Sequence, residues 1–348
     1  MQEQCQEMLC HAEHLLEQRD LEGADACFHA AEEDGADQDR CAAGRWQVAM
    51  LTGNFAAAWR ESDAIRQRGH ADEHRFWNGE SVEGKRVIVR CLHGLGDAVQ
   101  MLRYLPGLQA QCKELIVEVP PHLLPLAPFF VGMRTLITWG SQAPVQQPAW
   151  DLQMEVMELP HFFRTVADEL PLATQYLALP PEQVRDMAQR MGPSETPRVG
   201  VVWSASEWDP SRRLPSDCLE RLLAQHGLQF WNLQGGPQHD SSAQAKIAAG
   251  LQDAAMLGDG LLPLTSVIAN LDLVITVDTL AAHLAGALGR PAWVLLQHRA
   301  DWRWMHGRDD SPWYPTLRLW RQPVQEDWAT LTLAVCEALT QWRLERAA

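Results

Sequence analysis

Short runs of β-branched, aromatic and other apolar residues alternate with helical stretches, and this pattern constrains the fold of the chain more than any other feature. A first series of runs lies at 86–91, 115–119 and 136–139, and a second series lies at 198–203, 229–233, 273–277, 292–296 and 317–320. Helices are predicted over 98–111, 182–191, 216–225, 239–249, 264–270, 279–288 and 326–344. Strands that alternate with helices form parallel sheets. The sequence therefore predicts an α/β protein with two separate sheets, one for each series.

The N-terminal part differs in charge and pattern. Residues 1–80 carry 17 acidic and 7 basic side chains, and Asp20–Ala24 aligns with Asn54–Ala58 at an offset of 34. This period resembles the tetratricopeptide repeat, a helix–turn–helix unit in which small residues such as Ala24 and Ala58 let two helices approach closely. Two repeats are too few for a free-standing solenoid. We expect a small helical module that leans on the next domain or on another subunit.

Composition excludes several classes of protein. The net charge of −16 argues against a general nucleic-acid binder. No apolar run reaches the ~20 residues of a transmembrane helix, and the acidic N-terminus is unlike a signal peptide. The eight cysteines have irregular spacing and no C-x-x-C pair, which indicates free thiols in a reducing compartment. These features together predict a cytoplasmic protein with no transmembrane segment.

Composition shifts along the chain predict three domains. The stretch from the prolines near 171 and 180–181 to Gly192-Pro193-Ser194 is the best candidate for an interdomain linker. The predicted domains are the helical module at 1–80, a first α/β domain at 81–190 and a second at 196–348.

A glycine turn follows the first predicted strand, at His93-Gly94-Leu95-Gly96-Asp97. The two glycines let the backbone pass close to a ligand at the carboxyl end of a strand, where open α/β sheets bind their ligands. Asp97 is interpreted either as a chemical group or as the N-cap of the next helix. The turn lacks the full G-x-G-x-x-G pattern, so it does not support a dinucleotide cofactor.

A second candidate segment opens the second series of strands. The strand at 198–203 runs into Ser204, and Arg212 and Arg213 follow. Hydroxyl groups and guanidinium forks both match phosphate oxygens, so this segment is a candidate grip for a diphosphate. The alternative is an exposed, solvated pair of arginines.

The third candidate segment is the junction between a buried strand and an Ala-rich helix. The strand at 273–277 ends at Asp278-Thr279, and Ala281, Ala282 and His283 follow at once. The first N–H groups of a helix form an anion site, and small side chains let a diphosphate reach them. His283 lies four residues after Thr279, on the same helix face. We interpret His283 as part of this site rather than as a structural histidine.

Taken together, these segments resemble a known family. The run from Gly94 to Pro106 is similar to the first-domain motif of tetratricopeptide-linked glycosyltransferases, and the run from Asp278 to Pro291 is similar to their donor motif. The donor motif is shared with the ADP-heptose:lipopolysaccharide heptosyltransferases, glycosyltransferase family nine. The tail, at 301–304 and 310–315, also resembles that bacterial group. The resemblance covers roughly residues 80–340.

The resemblance implies a GT-B fold, in which two Rossmann-like domains face each other across a cleft. It implies inverting, metal-independent sugar transfer with no cofactor, with Asp97 as the base and the helix near Thr279 together with Arg212 or Arg213 neutralising the leaving diphosphate. The only D-x-D in the chain, Asp37-Gln38-Asp39, lies in the helical module. If Asp97 is not the base, His93 is the next candidate.

Donor and acceptor stay open at this point. The heptosyltransferases usually carry a lysine in the loop after the first strand of the second domain, whereas this chain has Arg212-Arg213 there and no lysine between Lys113 and Lys246. The donor is therefore ADP-heptose or a UDP-sugar, and the acceptor is a hydroxyl of a glycan or a protein. The alternative function is a catalytically inactive nucleotide-sugar-binding or scaffold protein of the same fold; an epimerase has no separate support.

Overall fold

A computed structural model of the chain describes residues 2–69, 75–139, 148–167, 170, 175–205, 209–235 and 251–347. The predicted helix over 239–249 and the proline at 171 lie outside these residues. The chain divides into two compact units. The first unit consists of Met1–Ser81, Met157–Leu172 and Arg299–Arg308, and the second of Val82–Val156, Ala173–His298 and Asp309–Ala348.

The described helices, in chain order, are α1 (Gln2–Gln18), α2 (Leu21–Glu33), α3 (Gln38–Leu51), α4 (Phe55–Arg68), α5 (Leu95–Met101), α6 (Leu105–Gln109), α7 (Leu159–Phe162), α8 (Pro181–Met191), α9 (Ser216–Leu223), α10 (Leu261–Ile268), α11 (Leu280–Ala287) and α12 (Trp328–Ala347). The described strands are β1 (Arg86–Arg90), β2 (Glu114–Val119), β3 (Thr135–Thr138), β4 (Leu152–Glu155), β5 (Arg198–Val202), β6 (Gln229–Asn232), β7 (Gln252–Asp253), β8 (Leu273–Val277), β9 (Ala292–Leu296) and β10 (Leu317–Arg321).

The first unit is built on the four helices α1–α4, as the sequence predicts. The offset of 34 aligns two N-caps: the Asp20 carboxylate accepts the N–H of Gly23 at 3.0 Å, and the Asn54 amide oxygen accepts that of Ala57 at 3.3 Å. Ala24 and Ala58, which follow these caps, are completely buried. The sequence repeat therefore corresponds to two structural features that recur at the same offset, an N-cap and a buried alanine.

Two segments from the α/β part of the sequence complete the first unit. The Trp59 indole donates to the carbonyl of Thr165 at 2.6 Å, and the Arg164 guanidinium donates to Asp63 at 2.7 Å. The rings of Trp46 and Trp302 meet edge to face, 5.5 Å apart. Neither segment carries a periodic signal that would assign it to the helical module. The domain boundaries predicted from the sequence stay a prediction.

The second unit holds two parallel sheets. The four-stranded sheet has the order β3-β2-β1-β4, and the six-stranded sheet has the order β10-β9-β8-β5-β6-β7. No strand of one sheet pairs with a strand of the other among the described residues, which confirms two separate sheets. Apolar side chains of β5 and β8, such as Val201 and Ile275, form one buried core with Leu331 and Val335 of α12.

The sequence analysis missed β4 and β7. The run Leu152-Gln153-Met154-Glu155 contains neither a β-branched nor an aromatic residue, so its local pattern does not indicate a strand. This run nevertheless forms a strand because it pairs with β1, in a register that sets Glu155 opposite Arg90. This pairing brings the Glu155 carboxyl to the edge of the sheet from which the glycine turn leaves.

The predicted linker contains the helix α8, at nearly the predicted bounds. This helix packs against α10, because Gln183 donates to the hydroxyl of Ser266 at 3.1 Å and Asn270 donates to the carbonyl of Val184 at 3.0 Å. The segment 181–191 is therefore an integral helix of the second unit.

Candidate active site

The glycine turn after β1 leads into a helix that begins earlier than the sequence predicts. Helix α5 starts at Leu95, its N-cap is Gly94, and Asp97 is its third residue. The expectation that Asp97 is the N-cap is therefore wrong. The Asp97 carboxylate accepts the N–H of Gly94 at 2.9 Å, as the third residue of a helix does in a capping box. Asp97 remains half-buried.

Gly96 lies where α5 meets the helix of the third candidate segment. A Cβ added at Gly96 would lie 2.8 Å from Cδ2 and 3.3 Å from Nε2 of His283, on α11. The missing side chain at Gly96 is thus explained by the His283 ring, whereas the sequence analysis attributed it to a ligand. The glycine turn and the Asp278-Thr279 junction therefore belong to two helices in direct contact.

His283 belongs to a buried cluster of aromatic and cationic side chains. Its Nδ1 lies 2.9 Å from the hydroxyl of Tyr314, and the ring is 5% exposed. The Arg103 guanidinium lies over the rings of Tyr176, Tyr314 and Trp313, and it donates to the carbonyl of Trp313 at 2.5 Å. Such stacking on aromatic faces stabilises a buried cation. The cluster joins α5 and the 310 turn after it to α11 and to the loop before β10.

Burial raises the pKa of the Tyr314 phenol well above its usual value. Tyr314 therefore stays neutral, and its hydroxyl remains able to hydrogen-bond His283 throughout the physiological pH range. The described contacts of His283 are with protein groups, at the junction of the two helices. Its predicted contact with a donor stays a prediction.

The start of α11 is capped by a hydroxyl residue. Thr279 is the N-cap, and its hydroxyl lies 3.3 Å from the N–H of Ala281 and 2.8 Å from the hydroxyl of Thr276. The N–H of Ala282 donates to the Thr279 carbonyl at 3.1 Å. The N–H groups of Ala281 and Ala282 thus already have protein acceptors. An anion at this terminus has the N–H of Leu280, the first helical residue, which has no acceptor within the helix.

The second and third candidate segments meet at the carboxyl ends of β5 and β8. Arg212 donates to the carbonyl of Asp278 at 3.1 Å, and its Nη1 lies 3.9 Å from the Asp278 carboxylate. Arg213 donates to the hydroxyl of the buried Ser204 at 3.2 Å. The structure therefore places both arginines next to the strand ends, where the sequence places a diphosphate grip.

Two candidate functional residues are not predicted by the sequence. The first is Gln234, which is buried after β6. Its side chain accepts the N–H of Ser204 and donates to the Ser204 carbonyl, both at 3.0 Å, so it fixes the loop that carries the arginines. A lone glutamine after a strand gives no signal in the sequence, because only the pairing of β5 with β6 brings it to Ser204.

The second is Glu155, whose side chain is fully buried at the end of β4. Its Oε1 lies 2.9 Å from Nδ1 of His93 and accepts the N–H of Leu92 at 3.2 Å. His93 itself is 41% exposed. The pair therefore joins a buried carboxylate to an exposed imidazole in the glycine turn.

Part of the chain is similar to a known protein family. Residues 132–296 match the model of glycosyltransferase family 9 (heptosyltransferase). The chain contains a glycosyltransferase family 9 domain. The matched region includes Ser204, both arginines and the Asp278-Thr279 junction, and it begins after the glycine turn.

Two solved structures share the fold of the family 9 domain. The glycosyl transferase family 9 from Veillonella parvula has a TM-score of 0.58 at 12% identity and covers 76% of this chain and 99% of its own. ADP-heptose lps heptosyltransferase II of E. coli has a TM-score of 0.54 at 17% identity and covers 76% of this chain and 100% of its own. The fold is therefore that of the GT-B glycosyltransferases, as the resemblance implied.

Among curated proteins, Protein FlbA of Caulobacter vibrioides is 25% identical over 305 residues, which is 79% of this chain and 50% of FlbA. The chain thus spans about half the length of the curated relative that it matches. None of the described helices is long and apolar enough to cross a membrane.

Within the family 9 domain, Gly286 leads to a prediction about stability. A Cβ at this position on α11 would overlap the ring of Tyr314, which is buried and held between His283 and Arg103. We expect Gly286→Ala to lower the free energy of unfolding by about 1–3 kcal/mol, as overpacking of a filled core does. Urea unfolding measures the change. Gly235→Ala is the matched control, because a Cβ at Gly235 meets no atom of the described residues within 4 Å; equal stability of the two variants would contradict the prediction.

Proposed function

We propose that this protein is an inverting, metal-independent glycosyltransferase that moves a sugar from a nucleoside-diphosphate sugar to a hydroxyl of a glycan or protein acceptor. One observation carries the proposal: the contact of Gly96 with His283 brings the helix of the glycine turn to the helix that begins at Asp278-Thr279. Asp97, which can take a proton, and the start of α11, which can hold a diphosphate, then lie on adjacent helices.

The donor diphosphate occupies the start of α11 in this proposal. Arg212 already lies at the Asp278 carbonyl, and Thr279 caps the helix without adding negative charge. The positive end of the helix and a guanidinium both stabilise the negative charge that develops on the leaving diphosphate. Arg213 and Ser204 complete the donor side, whereas Asp278, which contacts Arg212, orients that arginine.

Asp97 takes the acceptor's proton in the proposed reaction. The acceptor oxygen attacks the anomeric carbon as its proton passes to the Asp97 carboxylate, and the bond from that carbon to the diphosphate oxygen breaks with its electron pair. A positioned general base contributes typically ~10²–10⁴-fold to the rate. One carboxylate oxygen of Asp97 also caps Gly94, which holds the side chain in place.

The two carboxylates of the D-x-D motif have structural roles in the helical unit, which supports metal-independent transfer. Asp37 caps α3, where its Oδ1 accepts the N–H of Asp39 at 3.0 Å and that of Arg40 at 2.9 Å. Asp39 accepts from Arg68 at 2.6 Å. Both carboxylates thus serve the helical unit, and the proposed charge neutralisation falls to Arg212 and the start of α11.

Heptose is the favoured sugar, because one of the similar solved structures is named as an ADP-heptose heptosyltransferase. The test is to incubate the protein with ADP-heptose and with UDP-GlcNAc separately and to measure the released nucleoside diphosphate. We expect release from ADP-heptose above the rate without protein. Binding of either donor without any release would instead support the inactive nucleotide-sugar-binding protein.

A further inference from the structure

The strongest unexplained feature of the second unit is the buried carboxylate of Glu155. Buried acidic side chains are rare and need partners. Glu155 ends β4, next to β1 in the sheet, and its described partners are the N–H of Leu92 and Nδ1 of His93. Both partners belong to the segment that enters the glycine turn.

The contact with Glu155 determines which nitrogen of His93 can act. When Nδ1–H donates to a carboxylate, the neutral ring is held as the Nδ1–H tautomer and Nε2 becomes the basic nitrogen. The His93 side chain is 41% exposed, whereas that of Glu155 is fully buried. The buried carboxylate therefore orients the ring, and part of the imidazole is exposed to solvent.

His93 lies in the same turn as the proposed base. Gly94, which follows His93, donates its N–H to Asp97 at 2.9 Å. Two proton-accepting side chains thus flank a single short turn. The dyad of a buried carboxylate and an exposed imidazole is the arrangement in which histidine serves as a general base.

Other described ionisable groups lie near the dyad, on β1, β2 and α5. On β1 and β2, Arg90 pairs with Glu118. Between them and the turn lies the buried Cys91, whose pKa is raised by burial and by the nearby Glu155 and Glu118, so it stays a neutral thiol. Asp97 faces the turn from α5 and caps Gly94.

We propose that His93 and Glu155 form a second acid–base pair of the site, in which Nε2 of His93 accepts the acceptor's proton in parallel with Asp97. This inference rests on the proposed sugar transfer. The acceptor O–H bond breaks, its proton goes to Nε2, and the oxygen bonds to the anomeric carbon while the diphosphate leaves with the electron pair. Glu155 is a positioning residue, because it stabilises the resulting imidazolium and touches no substrate.

The test uses the full chain, with ADP release from ADP-heptose as the readout. In the Asp97→Asn background we expect measurable residual turnover. Adding His93→Gln should lower this residual turnover by a further ~10-fold or more. Adding Glu155→Gln instead should also lower the residual turnover, since the ring loses the carboxylate that orients it and the imidazolium loses its negative partner.

The matched control is His226→Gln in the same background, because His226 is an exposed histidine away from the turn. This control should not change the rate. If the Glu155→Gln variant does not fold, the exposed His93→Gln variant still decides the question. Nitrogen NMR of His93 adds a readout without turnover: we expect the Nδ1–H tautomer in the wild type and its loss in Glu155→Gln.

The outcomes separate this inference from the proposed function. A wild type that releases no nucleoside diphosphate from either ADP-heptose or UDP-GlcNAc would overturn the sugar transfer itself. An active wild type whose Asp97→Asn variant has no residual turnover, or has turnover indifferent to His93→Gln, would overturn only the second acid–base pair.

Discussion

The Asp97→Asn variant should lose turnover by ~10²-fold or more while its melting temperature and its affinity for the donor barely change. The structure makes this substitution a clean test, because the described role of the carboxylate is to accept the N–H of Gly94. An asparagine side chain offers the same oxygen to that N–H, so the cap is retained and most of the basicity is removed. Loss of a general base lowers kcat and kcat/KM together.

Two measurements check the prediction. Single-turnover ADP release from ADP-heptose reports the chemical step, and titration with ADP reports donor affinity. Asp97→Ala is the companion variant, because it removes the base and the cap and should lower the stability of α5 as well. If Asp97→Asn retained wild-type turnover, Asp97 would be only a capping residue, and the proton would go elsewhere, with His93 the first candidate.

The Thr279→Asp variant should bind nucleoside diphosphates far more weakly than the wild type without unfolding. Aspartate is as good an N-cap as threonine, and a negative charge at this end of a helix is favourable, so α11 should keep its structure. Two like charges about 4 Å apart repel by ~4 kcal/mol at an effective dielectric constant of 20. We therefore expect the Kd for ADP to rise by ~100-fold or more.

Thr279→Asn is the matched control, since asparagine has nearly the shape of aspartate, caps equally well and carries no charge. Calorimetric titration with ADP and with UDP measures the affinities, and thermal unfolding confirms that all three proteins are folded. Equal affinity of Thr279→Asp and Thr279→Asn for ADP would contradict the placement of the diphosphate at the start of α11.

The sequence predicts the parts of the molecule whose signals are local. Runs of β-branched, aromatic and other apolar residues identify eight of the ten described strands, and the Ala-rich run after Asp278-Thr279 predicts α11. The 34-residue repeat predicts the buried Ala24 and Ala58. In each case a residue's own neighbours in the chain determine its backbone conformation and its burial, and so the pattern is sufficient.

The start of α5 is a feature that the local sequence pattern predicts incorrectly. An aspartate before a helical run is typical of an N-cap, but Gly94 takes that position and Asp97 bonds back to it from one turn inside. In both arrangements an aspartate side chain accepts a backbone N–H at the start of the helix, so the residue types alone cannot distinguish them.

Contacts between residues far apart in the chain were decided only by the tertiary structure. The small residues Gly96 and Gly286 accommodate the rings of His283 and Tyr314, and Glu155 meets His93 because an unpredicted strand pairs with β1. The sequence by itself determined the α/β class, the two series of strands and the residue types available at each strand end. Which of those side chains touch depends on sheet order and register, because these bring together residues whose separation along the chain carries no pattern.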